Sequence, residues 1–111
     1  MKYKVHQQTW ISVVDIQLNM INRRFKNIHI SLDDFVHTEE NEMNVILSDS
    51  EMLPVIFTNH NVIERHGAPY TLSAGNVIQI EDRYYLIGME GFYLLDQCER
   101  SLRILRKVGD E

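Results

Sequence analysis

The sequence predicts an α+β fold in which a small antiparallel sheet of three to four strands packs with one or two helices. Three observations predict it. Residues 77–95 hold three short apolar runs separated by turn residues, the pattern of a C-terminal meander. Residues 10–25 carry apolar side chains at helical spacing. The 111 residues are 44% hydrophobic and 24% charged, the balance of one globular domain spanning 1–111.

Along the chain, Trp10, Val13, Val14, Leu18, Ile21 and Phe25 form one helical stripe behind Thr9, a good cap. The same stretch alternates from Val14 to Met20 as a strand does, but its length favours a helix. Ile28, Ile30 and Leu32 alternate with polar neighbours and predict a short strand. Ser31 with Asp34 resembles a capping box, so a short helix over 32–38 competes. Residues 39–44 read as a polar loop and 43–47 as a small buried strand. Ser48-Asp49-Ser50-Glu51 starts a helix over 51–60 with Pro54 near its beginning and Leu53, Ile56 and Phe57 inward. Asn59-His60-Asn61 ends that helix, and Gly67-Ala68-Pro69 forms a connector. In the meander, Ile78 and Ile80 share one face of the first strand. Asp82-Arg83 turns the chain into a strand over 84–88, and Met89-Glu90-Gly91 turns it into a third over 92–95. Residues 99–108 fit a helix with Cys98, Leu102 and Leu105 inward, or a fourth strand with Leu102 and Ile104 inward.

Several chemistries find no support. No apolar run approaches the roughly 20 residues that span a bilayer. Polar Gln7-Gln8 stands where a signal peptide would be apolar, so a cytoplasmic protein is expected. The single Cys98 excludes an intramolecular disulfide and a multi-cysteine zinc site, and it reads as a small buried hydrophobe. His6, His29, His37, His60 and His66 lack HxH or HExxH spacing. His37 beside Glu39, Glu40 and Glu42 is the nearest approach to a divalent site, and the histidines read as structural or surface residues. Adjacent pairs such as Asp33-Asp34 do not converge on one substrate, and there is no phosphate loop or GxSxG elbow. The sequence therefore predicts no catalytic residue and no cofactor.

Charge is segregated. The net charge is −5, yet residues 1–26 are basic, residues 27–64 hold eight acids and no Lys or Arg, and residues 100–107 are basic again. An acidic stretch of this length repels nucleic-acid phosphates and attracts a basic partner within a Debye length of about 8 Å.

The stretch from His60 to Asp96 carries Leu72-Ser73, Gly75-Asn76-Val77-Ile78, Tyr84-Tyr85 and Gly91-Phe92 with Leu94-Leu95. It resembles the YodL-like domains, small modules in proteins of conjugative elements, plasmids and phages of bacteria. Asn76 stands where that family usually has Asp, and Ala74 where Val is common. The resemblance covers roughly a third of the chain. It implies a mobile-element origin, a bacterial host and a small α+β module, and it brings no catalytic residues. In physical terms Gly75 supplies a positive φ, Asn76 a local turn bond, and Gly91 a chain reversal.

These readings combine into one expectation: a non-enzymatic accessory protein that binds a host or defence protein with a basic surface. The acidic segment 33–51 is its expected contact, through Asp33, Asp34, Glu39, Glu40 and Glu42. The alternative is a nucleic-acid module that stacks bases on the aromatic strands 84–93 and uses the basic segment 100–107, with Arg83, Tyr84, Tyr93, Arg103 and Arg106 in contact. A symmetric homodimer fits a sheet with one apolar face left open.

Overall fold

A computed structural model of the protein describes residues 1–62 and 72–109. In chain order these form β1 (Lys2–Gln8), α1 (Trp10–Ile21), β2 (His29–Ser31), β3 (Phe35–Glu42), α2 (Asp49–Val62), β4 (Val77–Ile80), β5 (Arg83–Ile87), β6 (Phe92–Cys98) and β7 (Ser101–Lys107). Single 3-10 turns occupy Phe25–Asn27 and Leu32–Asp34. The strands make one antiparallel sheet in the order β2-β7-β6-β5-β4-β1-β3. The α+β class stands, but the sheet has seven strands where three to four were expected.

That order forces the sheet to curl. β2 and β3 lie at opposite edges, yet only Leu32–Asp34 separates them. Seven strands laid flat would put the outer two about 29 Å apart. Four residue steps reach at most about 14 Å. The edges therefore bend towards one another, and Leu32 and Phe35 at the corner pack into the same core as α1.

Each face of the sheet buries its own helix. Alternation sends Tyr3, Val5, Ile78, Ile80, Tyr85 and Ile87 to one face, where Met52, Leu53 and Ile56 of α2 cover them. Val77, Leu86, Leu95, Leu102 and Ile30 point to the other face, under Ile16 and Met20 of α1. β1 is a central strand, paired with β3 and β4. Its polar His6 and Gln8 are buried and bonded across the sheet, which hides the strand from an apolar pattern.

Several local expectations need correction. Residues 39–42 belong to β3 and are not a loop, because they pair with Lys2–Val5 of β1. Residues 43–47 form no strand, and Ile46 is 99% exposed. The competing helix over 32–38 is only the Leu32–Asp34 turn, which Ser31 caps through the Asp33 amide. α2 starts at Asp49 and runs past Asn59-His60-Asn61, so Pro54 sits in its second turn on an exposed face. The β4–β5 turn is Glu81-Asp82, with Arg83 already paired to Ile80. Residues 101–107 resolve as the strand β7, with Leu102 buried and Leu105 exposed. Cys98 is exposed, not buried. The connector at Gly67-Ala68-Pro69 lies outside the described residues.

Candidate docking surface

α1 is apolar on two sides. Thr9 caps it, its hydroxyl oxygen accepting from the Ser12 amide at 3.4 Å. Val13, Ile16 and Met20 face the sheet. Gln17 donates to the Ala74 carbonyl at 2.8 Å, and Gly75 lies so close to Val13 that a Cβ there would sit 3.2 Å from Cγ1. This inner row fixes the helix and turns a second row outward. On that outer row Trp10 is 78% exposed, Ile11 80%, Leu18 52% and Ile21 63%, with half-buried Val14 between them. The stripe expected to face the core mixes the two rows, and most of it is the outer one. A helix apolar on both sides belongs in an interior, and a contiguous apolar patch marks an interaction site.

The C-terminal end of α1 adds charge and a cavity. The chain leaves the helix through Arg23, held at φ 54°, with the Arg23 amide bonded to Met20 O and the Arg24 amide to Asn19 O. This is the Schellman arrangement, which usually takes glycine at the left-handed position. Arg23, Arg24 and Lys26 are all exposed, and among the described residues none makes an ion pair. Beside them lies a cavity of about 140 Å³ lined by Met20, Ile21, Arg23, Phe25, Met89, Glu90 and Tyr93.

The acids of 33–51 are spread over three places. Asp33, at the corner between β2 and β3, takes a bond from Arg100 Nε at 3.0 Å, and that guanidinium holds its carboxyl below the usual range. Asp34 is beside it, its carbonyl accepting from the Thr9 amide. On β3, Glu39 faces α2, 4.0 Å from His60, whereas Glu40 and Glu42 point to the opposite face, in register with Lys4 and Lys2. Asp49 is gripped at the start of α2 by Arg83 Nε at 2.6 Å and Nη2 at 3.0 Å, and by the Tyr85 hydroxyl. The segment therefore does not present its acids together.

The aromatic and basic residues of the alternative reading are also parted. Tyr84 and Tyr93 lie half-buried on the α1 face, where Tyr93 meets Phe25 at 5.3 Å and Tyr84 stacks near His6. Arg83 lies on the α2 face with Asp49. The register puts Arg103 opposite Asp96 and Arg106 opposite Leu94, on the α2 face as well. No platform of tyrosines edged by these arginines is assembled.

Two polar clusters escaped sequence reading. His6 Nε2 donates to Gln79 Oε1 and its Nδ1 accepts from Thr38, each at 2.8 Å, with Phe35 stacked on the ring at 4.4 Å. Burial pushes the His6 pKa down, so the neutral ring is favoured. In the second cluster Arg83 holds the Asp49 carboxyl below the usual range, and burial pushes Tyr85 up to about 12. Their partners are 32 to 73 residues away, so no local spacing signals them. Both clusters join elements that must meet in the fold, and Gln79 of the first also lines a surface cavity with Lys2, Lys4, Glu40 and Glu81. Among the described residues no group of three His, Cys, Asp or Glu side chains converges. No described helix is long and apolar enough to cross a membrane. Comparisons with protein-family models, curated proteins and solved structures find no match to this chain.

Proposed function

We propose that this chain is a non-enzymatic accessory protein of a phage or mobile element, of the YodL-like kind, that works by docking a host or defence protein. One observation carries the reading: the outer row of α1 leaves Trp10, Ile11, Leu18 and Ile21 in water, and the helix runs into Arg23, Arg24 and Lys26, which make no ion pair among the described residues. Burying a Leu- or Ile-sized side chain is worth about 1.5–3 kcal/mol. A partner that covers this row has several such contributions to offset the cost of association. Leu18→Arg tests it, since the residue is half in water and the fold does not need it. Host proteins held by the wild type and released by Leu18→Arg support the reading. Identical retention by both chains removes α1 from it.

A second reading keeps the acidic segment as the contact for a basic surface. β3 favours it, because this edge strand exposes Glu40 and Glu42, and neither makes an ion pair among the described residues. Joint reversal of Asp34, Glu40 and Glu42 to lysine abolishes capture if this edge is the contact, and leaves it intact if α1 is.

A further inference from the structure

We infer that the occupant of the α1 surface is an amphipathic helix of a partner protein with a carboxylate cluster at one end. The inference rests on the docking reading above and names the chemistry of what docks. The outer row is a straight ridge of about 18 Å, the length of twelve helical residues. A second helix of three or four turns matches it, laying its own apolar stripe against Ile11, Val14 and Leu18. At one end the ridge runs into the cavity between Ile21, Phe25 and Met89, which has room for a benzene-sized group. Arg23, Arg24 and Lys26 follow at that end, three cations against the single carboxylate of Glu90 in the cavity lining, and none of the three makes an ion pair among the described residues. Cations at the rim of an apolar patch select an acidic partner and steer its approach.

Two other occupants fit less well. A second copy, placed by a two-fold axis through the middle of the ridge, would set Trp10 against Ile21 and Val14 against Leu18. Arg23 and Arg24 of each copy would then pass Trp10 of the other and meet neutral Thr9 and Gln8. An anionic bilayer would meet cations at only one end of the ridge, on a chain of net charge −5. The backbone adds its own sign. Arg23 sits at φ 54°, where glycine is the easier residue, so a side chain is kept there against local preference.

The test uses the full chain and the emission of Trp10, its single tryptophan. The probes are a 16-residue helical peptide with a Leu/Phe stripe and three terminal glutamates, and the same peptide with lysines in their place. The expected result is a saturable blue shift with the glutamate peptide, at a Kd about tenfold tighter than for the lysine peptide, the gap closing as salt rises. Arg23→Gly raises the melting temperature, yet weakens the glutamate peptide about fivefold. Equal affinity for the two peptides overturns the acidic occupant and leaves α1 docking standing. A concentration-dependent dimer with a buried Trp10 overturns it in favour of a second copy. A blue shift with phosphatidylcholine–phosphatidylglycerol vesicles and with neither peptide overturns it in favour of lipid. Failure of every probe, together with unchanged host capture by Leu18→Arg, removes the docking reading as well.

Discussion

Among the described residues, three other than glycine adopt left-handed backbone: Arg23 at φ 54°, and Glu81 and Glu99 at φ 56°. Glu81 and Glu99 each open a two-residue hairpin turn, between Ile80 and Arg83 and between Cys98 and Ser101. A β-carbon in that region costs about 1–2 kcal/mol, and Asn bears it better than Glu. Glu99→Asn is therefore expected to stabilise the chain by about 0.5 kcal/mol in urea unfolding. At Gly88 the constraint is space: a Cβ would come within 2.5 Å of the Tyr93 ring. Gly88→Ala should destabilise by about 1–3 kcal/mol, measured the same way.

His6 is expected to set a pH dependence. Burial lowers its folded pKa below the ordinary 6.5, with the Gln79 bond opposing and Lys4 assisting. The unfolded chain then binds the proton more readily. The contribution of His6 is whole above about 6.5 and is lost as pH falls through the folded pKa. His6→Gln should flatten the fall of melting temperature on that side of 6.5. Asp49 acts lower. Its folded pKa is depressed by Arg83, so its contribution is present above the ordinary carboxylate value and is lost on further acidification. Asp49→Ala, which strips the Tyr85 hydroxyl of its acceptor, should cost about 1–3 kcal/mol at neutral pH.

Among the elements, α1 shows how much periodicity can tell. Its extent was legible, as was Thr9 at its start, because length and capping are local. Its buried face was not. The helix carries two apolar rows, and the row with Trp10, Leu18 and Ile21 is the bulkier, so hydropathy picks it. The sheet takes Val13, Ile16 and Met20, the row that clears Gly75. Urea unfolding checks the assignment. Ile16→Ala should cost about 2–5 kcal/mol, whereas Ile11→Ser should stay within about 0.5 kcal/mol of wild type. β4, β5 and the start of β6 were legible because their apolar runs are buried where they pair. β1 and β3 were not. β1 buries His6 and Gln8 as deeply as Tyr3 and Val5, and β3 is an exposed acidic edge. Nothing apolar alternates along β3 beyond Phe35.

At the scale of the whole molecule, sequence captured the α+β class and missed the curl, which follows from a corner three residues long. The segregated charge was visible, but its meaning was not. Asp33 meets Arg100 and Asp49 meets Arg83 across separations of 67 and 34 residues, so a segment that reads as unneutralised is partly neutralised by the fold. The docking row escaped for the converse reason, since exposure of an apolar side chain is a tertiary property.

The strand order also bears on when this sheet can form. β1 finds β4 only across more than 70 residues, and among the described residues β2 pairs with β7 alone. During synthesis β1 can pair with β3 early, but its other edge waits for β4 and β2 waits for β7. Wide sequence separation slows closure. For that interval the newborn N-terminal segment is the part most in need of a chaperone.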